Sequence, residues 1–196
     1  MARLGIGALI AAAVLGYMTY TEGTLAMQSS AQPETITLKQ LIARGANGNA
    51  HIVLTDFELC DNLVNQFNEN NKAVWTHVWI PVVPKDEVDP KHKGPLTPNN
   101  VKALLFSTSI TNEPEMEAKL NQPRVQGMVT NRITSLDPKI RNLLKQSYPG
   151  TDFDKCLIIQ EGRAPFGFGL VALTGGGAVL ALLIGVVLLI LSFRKS

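Results

Sequence analysis

Leu170 to Phe193, LVALTGGGAVLALLIGVVLLILSF, is apolar or small at every position except Thr174 and Ser192 and carries no charge. At 1.5 Å per residue a helix over this stretch reaches roughly 36 Å, enough to cross a hydrocarbon core of about 30 Å with some tilt. A soluble domain of this size has no use for so long an uncharged run, so the spacing predicts a membrane-spanning helix. Arg194 and Lys195 close it.

A second apolar run, Leu4 to Tyr20, follows Arg3 and precedes Thr21 and Glu22. A cleaved signal peptide would need a small-x-small site, and Ser29 with Ala31 lies some ten residues beyond the apolar stretch. An uncleaved anchor is the preferred reading. Basic residues tend to stay on the cytoplasmic side, so Arg3 places the N-terminus inside and Arg194 with Lys195 places the C-terminus inside. The expected organisation is an anchor at 1–22, a linker at 23–34, an extracytoplasmic domain at 35–164, and a final span with a short cytoplasmic tail at 165–196. Ala8, Ala12 and Gly16 recur every four residues, as do Gly177, Ala181 and Gly185. Small faces of this kind let membrane helices approach closely, and an antiparallel pair would set Ala12 level with Ala181. Gly175 to Gly177 is not a phosphate loop, because no Lys-Ser or Lys-Thr follows it.

With Glu22 set beside the first run, residues 24–164 balance at fifteen Lys and Arg against fifteen Asp and Glu. Nucleic-acid binders usually carry a basic excess that neutralises phosphate, so that partner class is excluded.

Within the middle region Thr35 or Thr37 can cap a short helix bearing Leu38, Leu41 and Ile42, stopped by Gly45. His51 to Leu59 alternates as a strand, and Asn62 to Asn71 reads as a wide loop. Ala73 to Val83 is the most strand-like segment, with Pro81 and Pro84 ending it. Pro84 to Pro98 is a charged, proline-rich excursion. Val101 to Ile110 reads as a covered strand, Asn112 to Leu120 as one or two helical turns, and Arg124 to Ile133 as a strand. Asp137 and Pro138 open a helix whose apolar stripe is Ile140, Leu143 and Leu144. Lys155 to Gln160 is a last strand. The expected fold class is α+β: about five mostly antiparallel strands in a curled sheet or small open barrel, with two or three short helices, flanked by N- and C-terminal transmembrane helices.

Cys60 and Cys156 each end an expected strand. One disulfide, two buried thiols or a reactive thiol all fit that placement; a disulfide across so long a loop would stabilise the fold by roughly 4–5 kcal/mol in the chain-entropy model. The histidines, His51, His77 and His92, have no helical metal-site spacing. His92 lies near Asp86, Glu87 and Asp89, which could gather a cation, yet the interleaved Lys85, Lys91 and Lys93 favour a solvated loop. Glu113, Glu115 and Glu117 read as an exposed acidic edge. No GxSxG motif or carboxylate pair stands out. Trp75, His77 and Trp79 alternate along one strand and would share one face: an interaction surface if exposed, core filling if not.

These features lead to a two-pass membrane protein whose outer domain binds or scaffolds another membrane or envelope protein without catalysis and without a cofactor. A membrane-bound enzyme with an unrecognised site is the alternative. An accessory or sensor subunit ranks lower, since little sequence extends past either apolar run. The layout of two terminal spans around one outer domain resembles that of some respiratory-complex assembly factors, a likeness of architecture that assigns no residue a role.

Overall fold

In the computed structural model the described residues are 2–89, 96, 98–120, 122–131 and 133–193. The chain divides into two units, Met1–Gln28 with Pro165–Ser196, and Ser29–Ala164. His92, Lys91 and Lys93, and the Arg194 and Lys195 that bear on orientation, lie outside the described residues.

The first unit is a pair of long helices, α1 (Ala2–Met27) and α5 (Phe168–Phe193), each of 26 residues. Both are long and apolar enough to cross a membrane. Their surfaces stay open, with Leu4, Ile10, Tyr17, Leu173, Leu180 and Leu183 all exposed. A helix at the centre of a soluble protein would have these side chains covered, so a lipid environment fits them. α1 runs five residues past the expected anchor, absorbing Gly23 to Met27.

The two helices pack antiparallel. A Cβ added to Gly185 would meet Leu9 Cδ2 at 2.8 Å and Gly5 O at 3.1 Å, and one added to Gly23 would meet Val171 at 3.4 Å. Thr19 Oγ1 donates to Thr174 Oγ1 at 3.1 Å, one turn from the Gly23–Val171 contact. On α1 the seam passes through Gly5, Ala12, Thr19 and Ala26, and on α5 through Val171, Ala178, Gly185 and Ser192, all buried or half-buried. A seven-residue step is the seam of a left-handed helix pair, distinct from the four-residue small-residue spacing expected. Of the expected packing residues, Ala12 and Gly185 are buried, whereas Ala8, Gly16, Gly177 and Ala181 are half-buried. A Cβ on Gly16 would meet nothing within 4 Å. Leu15 lies against Gly177 and Thr19 against Gly175. Counting back from those pairs sets Ala12 level with residues 180–182, a span that includes the expected Ala181.

The second unit is an α+β domain. Its strands are β1 (Glu34–Thr37), β2 (His51–Thr55), β3 (Phe57–Leu59), β4 (Val64–Phe67), β5 (Trp75–Pro84), β6 (Ala103–Ser107), β7 (Arg124–Val129) and β8 (Leu157–Glu161). Its helices are α2 (Leu38–Arg44), α3 (Glu113–Leu120) and α4 (Pro138–Ser147). The strands form one sheet in the order β1-β2-β7-β8-β6-β5-β3, with β4 also on β5. Parallel pairing occurs between β1 and β2 and between β6 and β8.

The sheet nearly closes on itself at Asp56. β2 pairs with β7, yet after this single residue the chain pairs with β5 as β3, at the other end of the strand order. Asp56 has φ 52, a left-handed conformation that Asp tolerates better than most residues, and it turns the corner. The expected single strand over 51–59 is therefore two. β3 and β4 then follow one another along β5, so the expected loop at 62–71 contains a strand.

β5 continues through Pro81 rather than stopping there. Cys60 N–H donates to Pro81 O at 2.9 Å, which aims the Pro81 nitrogen at the same edge, where β3 gives way to β4. The missing donor falls at a gap in the ladder and costs no hydrogen bond there.

Alternation along the strands makes two cores. Ile52, Leu54, Val78, Ile80, Val82, Ala103, Leu105, Leu157 and Ile159 point inward and meet Leu38, Leu41 and Met116 from α2 and α3. Leu104, Ile158 and Val83 point outward under Ile140, Leu144, Tyr148 and Phe153. Thr37 caps α2 through a reciprocal pair with Gln40, and Gly45 ends it at φ 70. Asp137 Oδ1 accepts from Lys139 N–H at 2.7 Å to cap α4. Leu143, expected in its buried stripe, is 46% exposed, since the Ile140 and Leu144 side carries the contact. β7 and β8 approach so closely that a Cβ at Gly127 would lie 2.3 Å from Gln160 O.

Candidate interaction surface

The Trp75–His77–Trp79 segment opens β5, and its geometry is set by pairing with β4. Gln66 lies opposite His77, but the next residue, Phe67, lies opposite Trp75. Thr76 is the extra residue of a β-bulge, which shifts the alternation by one position. Trp75 consequently packs against the inner core, whereas Trp79 packs against the outer one. The three residues do not share one face, which corrects the strict period-two reading.

His77 and Trp79 instead join Phe106 from β6. Ring centroids are 5.1 Å apart for Trp79–Phe106, 5.6 Å for His77–Phe106 and 5.8 Å for His77–Trp79. The register sets Val64, Trp79, Phe106 and Gln160 side by side across β4, β5, β6 and β8, with Gln66 beside His77. His77, Trp79 and Phe106 are each half-buried. Such rings present flat area at little entropic cost, bordered by side-chain amides that can donate and accept. Phe106 was missed in the sequence because its neighbour across the sheet depends on the β5–β6 register.

The cysteines sit elsewhere and are free and buried, so the disulfide allowed by the sequence is not formed. Burial pushes the Cys60 thiol up to about 12, and it does the same to Cys156. Cys156 Sγ–H donates to Val101 O at 3.2 Å. Tyr148 stands beside Cys60, raised by its own burial, and its hydroxyl donates to Asn62 O at 3.1 Å. At neutral pH both thiols are protonated and weakly nucleophilic, as packed structural cysteines are.

His51 is buried at the far edge of the sheet. Gln126 Nε2 donates to its Nε2 at 3.1 Å, so Nδ1 carries the proton and donates to Ser30 O at 3.2 Å. Both ring nitrogens are thereby engaged in holding the 29–32 segment to β2 and β7. Among the described residues no three His, Cys, Asp or Glu side chains are placed to share a metal ion.

Sequence reasoning also missed a buried ion pair. Lys119, in the last turn of α3, reaches Glu161 at the end of β8, and its Nζ donates to Gln122 Oε1 at 2.7 Å. The side chains are 7% and 14% exposed. Of the acidic edge, Glu115 turns back to accept from Thr111 N–H at 2.6 Å and Thr111 O–H at 2.9 Å. Glu113 and Glu117 stand one turn apart beside Trp75. Compared with protein families, with curated proteins and with solved structures, the chain has no significant match, so its function is read from its own residues.

Proposed function

We propose that this is a two-pass membrane protein whose Ser29–Ala164 domain lies outside the cytoplasm and binds or scaffolds another envelope protein, without catalysing a reaction. The observation that carries the reading is the His77–Trp79–Phe106 cluster, a half-exposed aromatic surface on the outer face of β5 and β6. The strand path supports it. Counting the bent β2–β3 strand as first, the order around the barrel is first, second (β5), third (β6), fifth (β8), fourth (β7) and back to the first. Small Greek-key barrels of the oligonucleotide/oligosaccharide-binding type follow this path and use the face of their second and third strands for ligands. That is an analogy of fold, and the aromatic cluster gives it local content.

Protonated, buried thiols and histidines held in separate environments favour binding over acid–base or nucleophilic chemistry. Orientation rests on Arg3, Arg194 and Lys195. Retention of the first apolar run rests on its packing through Gly5 and Leu9 against Gly185.

The test is site-specific photo-cross-linking in native membranes. A photoreactive residue at position 77 is expected to capture one discrete membrane or envelope protein, and Trp79→Ala with Phe106→Ala should abolish the product. Equal capture from position 139, on α4, would count against this surface. Digestion of the domain by protease added from the cytoplasmic side would overturn the topology.

A further inference from the structure

Asn47 and Gly48 are exposed in the turn between α2 and β2, and no other asparagine of the chain precedes a glycine. The fold requires that glycine for two reasons. Gly48 has φ 83, a conformation that residues with a side chain rarely adopt. A Cβ there would also lie 3.2 Å from Arg44 Cδ and 3.3 Å from both Arg44 Nε and Nη1, so the Arg44 side chain lies across the Gly48 backbone. Arg44 Nη1 donates to Glu34 Oε2 at 2.7 Å and Nη2 to Asn49 O at 3.0 Å. Its Nε–H is buried and has no hydrogen-bond partner among the described residues. A buried donor left unmet is costly, and negative charge that forms beside a cation is favoured.

Such charge forms when Gly48 N gives up its proton. The amide anion attacks Asn47 Cγ, an N–Cγ bond closes a five-membered imide, and the side-chain nitrogen takes up a proton and leaves as ammonia. Water then opens the imide at either carbonyl, giving aspartate or isoaspartate. With no side chain at residue 48, nothing crowds the attacking nitrogen. We propose that Asn47 is a site of spontaneous deamidation in the folded protein, closed through Gly48 N and promoted by the Arg44 guanidinium. Asn47 keeps a contact of its own in the fold, and the ring closes as that contact opens. The isoaspartate form adds a methylene to the main chain two residues before Asn49. The Asn49 side chain accepts from Ser30 N–H and His51 N–H and donates to Ser30 Oγ, so the modification slackens the hold on the 29–32 segment as the protein ages. The site is separate from the His77–Trp79–Phe106 face, so the two can fail independently.

The full-length protein in detergent, aged at mildly alkaline pH, is mapped by peptide mass spectrometry and by methyl labelling with an isoaspartyl methyltransferase. Asn47 should gain the mass that separates a carboxylic acid from an amide ahead of every other asparagine, and the methyl label should enter at residue 47. Asn47→Gln should lose that label, because its ring would be one atom larger and closes slowly. Arg44→Gln should slow the conversion by about tenfold, the effect of a neighbouring cation on the acidity of the Gly48 N–H, and Arg44→Lys should restore most of the rate. Earlier conversion of another asparagine, or a rate indifferent to the charge at residue 44, would overturn the proposal. If Arg44→Gln lowers the melting temperature, its comparison with Arg44→Lys decides, since both lack the bidentate fork and they differ in charge; equal rates in these two would refute the role of the cation.

Discussion

Lys119→Met tests how the buried ion pair contributes to the fold. The substitution keeps most of the lysine stem but strands the Glu161 carboxylate, 14% exposed, with Ser109 Oγ at 3.5 Å as its remaining donor among the described residues. Removing one partner of a buried pair costs about 3–5 kcal/mol, because the survivor keeps its desolvation penalty without the attraction that offset it. Partial access to water at Glu161 places the expected loss near the lower figure, about 3 kcal/mol. For a domain of this size that corresponds to a melting temperature lower by about 8–12 °C. Glu161→Gln should cost a similar amount by stranding the ammonium. The combined Lys119→Met and Glu161→Leu protein removes both charges and should return to within about 1 kcal/mol of the parent. Denaturant titration of the full chain in micelles, followed by tryptophan fluorescence, reads the domain alone, since Trp75 and Trp79 both lie within Ser29–Ala164. Single losses below about 1 kcal/mol with no coupling between the two would mean that the pair behaves as a surface pair, and the reasoning would be refuted.

Gly127→Ala should destabilise the same domain by about 3 kcal/mol or more in that titration, because the new methyl would meet Gln160 O at 2.3 Å and force β7 from β8. Stability should fall as pH rises from about 9 towards 12. The Cys60 and Cys156 thiols are raised in the folded state, so the unfolded chain loses their protons first and is favoured in that window; below pH 9 the contribution is complete. Replacing both by Ala should flatten the alkaline limb of a stability–pH curve, and in the parent protein thiol labelling at pH 8 should await denaturant with or without reductant. In the helix pair, Thr19→Cys with Thr174→Cys should cross-link on oxidation, given hydroxyls 3.1 Å apart. Gly185→Ile should suppress that cross-link by driving into Leu9 and Gly5 O, while Gly16→Ala, whose Cβ meets nothing, should leave it intact.

Much of the local structure was legible. The caps at Thr37 and Asp137, the stop at Gly45 and the helix at 113–120 follow from side chains that bond to backbone a few residues away. The two apolar spans were legible for the same reason, since length and composition are properties of a continuous stretch. β4 was not, because Val64 to Phe67 is short and only half apolar, and becomes a strand by lying against β5. Leu143 was misplaced because a helix stripe read from spacing is wider than the contact its neighbours provide.

The candidate site shows the division most clearly. Aromatic residues at alternate positions announced a surface of some kind around residues 75–79, but the bulge at Thr76 sent Trp75 inward, and the β5–β6 register supplied Phe106. By itself the sequence determined that two greasy helices bracket a charge-balanced α+β region, for hydrophobicity, helix capping and net charge are local or additive quantities. Only the tertiary structure decided that the sheet curls nearly shut through Asp56, that Cys60 and Cys156 stay unbonded, and that Lys119 meets Glu161. Each of those depends on which strands lie side by side, and pairing across a sheet is a relation between distant segments that neither segment encodes alone.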